Sequence, residues 1–169
     1  MPLLLNDSDI RTVLTMDDCL KALEAGYRQE GLGTAANRHK SVISITPQSG
    51  RTTQYVTFEA GIRNPPVFAL VLRSHVPESA GPPGAQFLML FSGETGELLA
   101  LLRYRTIGAY RLGGTAGLAA REMASHDAKV VGILGSGDSA RAHALAYASV
   151  RKIEQFKVYS PNPEHRADF

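Results

Sequence analysis

Apolar positions along the chain change their period three times. Ile10, Val13 and Leu14 form one short helical face, after Asn6-Asp7-Ser8-Asp9, a run of residues that cap helix starts. Leu20, Ala22, Leu23 and Tyr27 form a second face. It follows Thr15-Met16-Asp17-Asp18, where Thr15 caps the amide three residues on and two acids face the positive helix end. That helix is predicted to run to about Glu30 and to stop near Gly31 or Gly33. Leu3–Leu5 ahead of both reads as a short strand or extended lead.

From Ser41 the spacing shortens. Val42, Ile43 and Ile45 alternate with Ser and Thr, Pro47 to Arg51 is a turn, and Thr52 to Phe58 is rich in strand formers. After Pro65-Pro66, Val67 to Arg73 reads as a strand and Pro77 to Pro83 as a loop. Phe87 to Phe91 and Leu98 to Leu102 are strands around the turn Gly93-Glu94-Thr95-Gly96. Strands in succession without helices between them predict an antiparallel or mixed sheet.

The helical period returns from Tyr110 to Met123, where Gly113, Gly114, Ala116 and Gly117 leave little side chain. Glycine costs about 1 kcal/mol against alanine in a helix, so several together imply close approach of another backbone or a ligand. Beyond the connector Ser125-His126-Asp127 comes Lys129 to Leu134, an apolar run suited to a buried parallel strand.

Composition narrows the class. The 169 residues suit one domain, or one and a fraction; 44% are hydrophobic and 20% charged, as in ordinary globular proteins. With 18 basic and 16 acidic residues the net charge is +2, and no basic run exists, so nothing points to nucleic acid or a membrane surface. One cysteine, Cys19, rules out an intrachain disulfide or a cysteine zinc site. His39, Lys40, His126 and His143 form no metal-ligand pattern. No signal peptide is visible and no apolar stretch approaches the ~18 residues of a membrane span, so a cytoplasmic protein is expected.

The most specific chemistry is Gly135-Ser136-Gly137-Asp138-Ser139-Ala140, a G-x-G-x-x-A pattern. Gly135 permits a tight turn out of the preceding strand. Gly137 lets a pyrophosphate approach the backbone. Ala140 lets the next helix, expected to reach about Val150, pack closely. Asp138 and Ser139 fall in its first turn, where free amides meet phosphate. Phe156 to Tyr159 supplies the next strand and completes a strand–turn–helix–strand unit. An acid normally stands at the end of that second strand to hold the adenosine ribose. Here the chain reads Tyr159-Ser160-Pro161-Asn162. Exclusion of a 2′-phosphate is therefore lost, and Ser160, Asn162 and Arg166 are groups able to bind one.

These segments together resemble the ornithine cyclodeaminase and mu-crystallin family. The likeness spans nearly the whole chain. It rests on Leu4-Leu5-Asn6-Asp7-Ser8-Asp9-Ile10 with Leu14-Thr15-Met16, on Glu94 to Ala100, and above all on Arg111 to Ala120 followed by Gly135-Ser136-Gly137. The resemblance implies an α/β fold in two parts. Residues 1–110 would form an α+β substrate and dimerisation domain, and residues 111–169 the start of an NAD(P)-binding Rossmann domain. It implies NAD or NADP as cofactor, an amino acid or cyclic imine as substrate, and a homodimer formed through the N-terminal domain. The chemistry implied is hydride transfer at an amino-bearing carbon, as in ornithine cyclodeaminase (an ammonia-lyase), alanine dehydrogenase and ketimine reductases.

Carried over by residue, the resemblance makes Arg38 an anchor for the substrate carboxylate. It places Arg111 and Thr115 on the cofactor helix near the dinucleotide, and Asp138 and Ser139 on the pyrophosphate. An acid at 138 is unusual there and must turn its side chain away from phosphate. A second substrate-binding base is expected at Val71, which is neutral; Arg73, with the same side-chain parity, is the substitute. The family's catalytic aspartate is expected beyond Phe169, so no catalytic residue is assigned and the chain is expected to be an inactive fragment as it stands. A mu-crystallin-like protein that binds NAD(P) or a small ligand without catalysis, or a dimerising remnant, is the alternative.

Overall fold

The computed structural model describes residues 1–75 and 84–169; the expected loop from Pro77 to Pro83 lies outside the described residues. The elements run β1 (Leu3–Leu5), α1 (Asp7–Val13), α2 (Met16–Gly31), β2 (Ala35–Asn37), β3 (Ser41–Ile45), β4 (Thr53–Ile62), β5 (Val67–His75), β6 (Gln86–Ser92), β7 (Leu98–Arg103), α3 (Tyr104–Met123), β8 (Val130–Leu134), α4 (Asp138–Val150), β9 (Gln155–Tyr159) and α5 (Pro163–Ala167). The mixed α/β class expected from the sequence is the one found. Sequence pattern missed two elements and two boundaries, one of them the end of β4, which runs four residues past the expected Phe58. β2 and α5 are too short to carry a period, and α3 begins at Tyr104, ahead of its small-residue stretch.

The chain forms two compact units. The first comprises Met1–Ile10 and Gly26–Arg105, the second Arg11–Ala25 and Thr106–Phe169.

The first unit is a seven-stranded sheet in the order β1-β7-β6-β5-β4-β2, with β3 also on β4. Only β1 is parallel to its neighbour, pairing Leu3–Leu5 with Ala100–Leu102. β2 and β3 share one edge of β4 end to end, β2 against residues 60–62 and β3 against residues 53–57. Gln29 in α2 closes the β4–β5 turn: its Oε1 accepts from the amides of Arg63 and Asn64, at 3.1 and 2.9 Å.

Register assigns the two faces of this sheet. Phe58, Val71, Leu88 and Ala100 fall on one face, by the pairings Phe58–Val71, Val71–Leu88 and Leu90–Ala100. Val71 and Ala100 are buried, and Phe58 meets the buried Tyr104 ring edge-on at 5.8 Å. The opposite face carries Ile43, Tyr55, Phe68, Leu72, Met89 and Phe91. Ile43 is 63% exposed, and Tyr55, Phe68 and Leu72 are each close to 40%. This second face is apolar yet open.

The second unit is built on helix packing. Its core is Met16, Cys19 and Leu20 of α2, Leu118 of α3, and Ala142 and Ala146 of α4. The glycines of α3 are explained by this contact. A Cβ on Gly113 would stand 2.5 Å from the Ala142 carbonyl oxygen, and one on Gly117 would stand 2.9 Å from the Ala146 Cβ. On Gly114 it would meet the Leu23 side chain of α2 at 2.6 Å. Of the two causes the sequence left open, close backbone approach accounts for these glycines. Arg151 fastens the far end, its Nη2 donating to the carbonyls of Ala120 and Arg121 at 3.2 and 2.7 Å in the last turn of the helix. The same unit holds the parallel pair β8–β9, in register from Val130–Gln155 to Leu134–Tyr159.

Gly113→Ala and Gly26→Ala are therefore opposite in sign. At Gly26 an added Cβ meets nothing within 4 Å, so alanine is expected to stabilise by about 0.5–1 kcal/mol. At Gly113 the clash is with backbone, and a loss of about 1–3 kcal/mol is expected from overpacking. Urea unfolding of the two variants checks both signs.

Candidate dinucleotide site

The site is set by the way β8 hands over to α4. β8 ends at Leu134, and Gly135 turns the chain with φ +110°, a conformation that side-chain-bearing residues rarely adopt. The Gly135 amide donates to the Tyr159 carbonyl at 2.7 Å, so the turn sits beside the end of β9. Gly137 is the cap residue of α4, and no side chain accepts from the first-turn amides there. A Cβ on Gly137 would meet nothing within 4 Å. The start of α4 thus presents amides toward open space, with the positive end of the helix behind them.

A groove follows from this turn, lined by Ile133, Gly135, Gly137, Ser139, His143 and Tyr147 among others. His143 lies one helical turn past Ser139, and its Nδ1–H donates to the Ser139 carbonyl at 2.7 Å. In a neutral ring this bond puts the proton on Nδ1 and leaves Nε2 as acceptor. The sequence assigned His143 no chemistry. The i, i+4 spacing from the glycine turn was the available signal, and it is a weak one.

Asp138 does not line that groove. It lines a separate cleft with Arg11, Tyr110, Arg141 and Leu145. An acid immediately after the second glycine is thereby kept off the side where phosphate would lie. Arg141 in the same cleft is bound to the chain end, donating to the Asp168 carboxylate at 2.8 Å and to the Phe169 carbonyl at 3.2 Å.

The remaining candidates are distributed as follows. Ser139 is exposed in the first turn of α4, beside Gly135 and Gly137. Ser160 is buried just after β9. Asn162 caps α5, its Oδ1 accepting from the amides of Glu164 and His165 at 2.8 and 3.4 Å. Arg111 and Thr115 lie one turn apart on α3, four residues being close to one turn. Burial pushes the Cys19 thiol up from its ordinary value, and the Arg111 charge works against that rise. All of these belong to the second unit.

Arg38 and Arg73 belong to the first unit, and the sheet does not bring them together. Arg38 is largely exposed and pairs with Glu59 at 3.4 Å. Glu59 pairs with Leu70, on the open face, whereas Arg73 shares the face of Val71. Val71 itself is 4% exposed, so β5 supplies no charge at that point. Among the described residues no group of His, Cys, Asp and Glu is arranged to hold a metal, and no helix is long and apolar enough to cross a membrane.

A strand, a positive-φ glycine turn, an uncapped helix start and a parallel second strand define a dinucleotide-binding half-fold. Its residues fit a pyrophosphate: the turn is open where oxygens would enter, and the carboxylate next to Gly137, Asp138, lines another cleft. The sequence profile of the ornithine cyclodeaminase/mu-crystallin family matches residues 1–169, and the chain belongs to that family. It is 38% identical over 77 residues to a Δ1-pyrroline-2-carboxylate reductase of Bacillus cereus, covering 46% of this chain and 24% of that protein. It is 26% identical over 160 residues to an alanine dehydrogenase of Archaeoglobus fulgidus, covering 93% of this chain and 48% of that one. Among solved structures, the Δ1-pyrroline-2-carboxylate reductase of Thermococcus litoralis in complex with NADH and L-proline superposes with a TM-score of 0.87 at 27% identity, over 98% of this chain and 51% of that one. An archaeal alanine dehydrogenase dimer with bound NAD shares the fold, with a TM-score of 0.87 at 22% identity, over 99% of this chain and 51% of that one. The chain spans at most about half the length of these relatives.

Gly135 and Gly137 are expected to respond differently to the same substitution. Gly135→Ala forces a side chain into positive φ and should lose about 1–2 kcal/mol. Gly137→Ala should leave stability within about 0.5 kcal/mol, since its φ is −84° and the space is open. Thermal melts of both variants decide the point.

Proposed function

We propose that this chain carries the pyrophosphate-binding half of an NAD(P) site in an oxidoreductase acting on an amino acid or its cyclic imine. The observation that carries the reading is the turn at Gly135 and Gly137, open above an uncapped α4. When bound, the nicotinamide nucleotide supplies or accepts a hydride at the amino-bearing carbon. The protein's part is to hold and orient. The amides at the start of α4, with Ser139, take the pyrophosphate, and Arg111 and Thr115 on α3 flank the cofactor.

On the substrate side, Arg38 and Arg73 are the two candidate carboxylate anchors, each able to present a fork of N–H donors. A neutral, buried Val71 favours a substrate whose charge is concentrated in its carboxylate. That suits a cyclic imine carboxylate better than a diamino acid with a second cationic end. The named activities of the Bacillus and Thermococcus reductases support the same substrate class.

We also propose that two copies of the chain meet through the open face of the seven-stranded sheet. Ile43, Tyr55, Phe68 and Leu72 on that face are apolar and exposed. Patches of this kind mark protein contacts. The alanine dehydrogenase of the same fold is a dimer.

Titration of the chain with NADH and NADPH, followed by nucleotide fluorescence, tests the cofactor reading. Saturable binding is expected, lost in Gly137→Val while the melting temperature holds. Binding that survives Gly137→Val places the nucleotide elsewhere. Sedimentation equilibrium tests the second proposal: a dimer is expected, converted to monomer by Leu72→Glu. A monomeric wild-type chain contradicts it.

A further inference from the structure

The end of β9 carries more information than the missing acid alone. The Gly135 amide bonds the Tyr159 carbonyl, so the residues that follow, Ser160-Pro161-Asn162, leave the sheet directly beside the glycine turn. That is where a dinucleotide bound at the turn places its adenosine ribose. Three features define this place. Ser160 stands where an acid would bind the ribose hydroxyls, and it is 5% exposed. The Arg166 guanidinium is folded back from α5, its Nη1 donating to the Ser160 carbonyl. Asn162 spends its Oδ1 on the amides of Glu164 and His165, which leaves its side-chain NH₂ as the donor toward solvent.

The acids nearby do not cancel this charge. Asp168 is held by Arg141 at 2.8 Å. Glu164 precedes Arg166 by two residues, and residues so spaced on a helix do not face each other. The loop therefore offers a fixed guanidinium and an amide donor, with no carboxylate at the ribose position.

We infer that this loop selects the dinucleotide bearing a 2′-phosphate, NADP(H) over NAD(H), with Arg166 as the recognising charge and Asn162 as a second donor. The inference rests on the cofactor reading above and sharpens it. Arg166 is already anchored by the Ser160 carbonyl, so little side-chain freedom remains to be lost when phosphate arrives. Its other N–H groups remain to engage two phosphate oxygens, the geometry for which guanidinium is suited.

Adenosine fragments test this without any need for the nicotinamide end. Calorimetric titration of the 169-residue chain with adenosine 2′,5′-bisphosphate and with 5′-AMP compares the same ligand with and without the 2′-phosphate. One charge-assisted pair predicts about ten- to a hundredfold tighter binding of the bisphosphate. Arg166→Gln should collapse that ratio to about threefold or less while 5′-AMP binding is unchanged, and Arg166→Lys should restore part of it. Ser160→Asp should reverse the preference. NADPH and NADH titrated by fluorescence should rank in the same order as the fragments. Equal affinity for the two fragments overturns the selectivity and leaves the cofactor reading intact. Binding of neither fragment overturns both. A bisphosphate preference that persists in a folded Arg166→Gln variant overturns the role of Arg166.

Discussion

The second unit depends on one contact, the approach of α3 to α4 across Gly113 and Gly117. At a separation that leaves 2.5 Å between a hypothetical Gly113 Cβ and the Ala142 carbonyl, no other residue fits without moving backbone. The two helices are matched in this respect. α4 contributes Ala142 and Ala146, both almost fully buried, and α3 contributes hydrogen atoms. The fit fixes the position of α4 along its axis. The start of α4 carries the amides at Gly137, so packing further along the same helix decides where those amides stand. A helix free to slide would carry those amides away even with the glycine turn intact.

The sheet of the first unit follows the opposite logic. Alternation gives it two apolar faces, and only one closes over buried side chains such as Val71, Ala100 and Tyr104. The other face holds its aromatic and aliphatic side chains in the open. The pairing of Arg38 with Glu59 lies toward that open face, while Arg73 lies toward the closed one. The expected anchor, Arg38, and its expected companion, Arg73, therefore lie on different faces of the sheet.

Much of this architecture was legible in the sequence, for a physical reason in each case. The strand at Val130–Leu134, its glycine turn and α4 could be read because steric demands there admit few residue types. α2 could be read from its Thr15 cap, whose hydroxyl does accept from the Asp18 amide at 3.1 Å; the hydroxyl in turn donates to Asp18 and lowers that carboxyl's pKa. β2 escaped because a strand as short as Ala35–Asn37 carries no period, and its pairing is decided by residues 60–62 of β4, far along the chain. The start of α3 escaped because Tyr104 to Ala109 follows β7 without a break or a cap residue. At the site, residue types were readable and directions were not. That Asp138 lines a different cleft from Gly137, and that Arg166 bends back to Ser160, are facts of three-dimensional placement.

The composition of the two units has a consequence for how the protein is made. Residues 11–25 supply Met16, Cys19 and Leu20 to a core whose other half, Leu118 to Ala146, lies far downstream, beyond the whole of the sheet. Contacts so distant in sequence form late, because the intervening loop must first be closed. During synthesis the apolar side of α2 therefore emerges long before its partners exist. The nascent chain carries an unsatisfied hydrophobic stripe while the sheet is being translated. A genetic cut between Arg105 and Thr106, where the two units meet along the sequence, falls inside the first turn of α3 and would separate the glycine turn from residues 11–25, which complete its core.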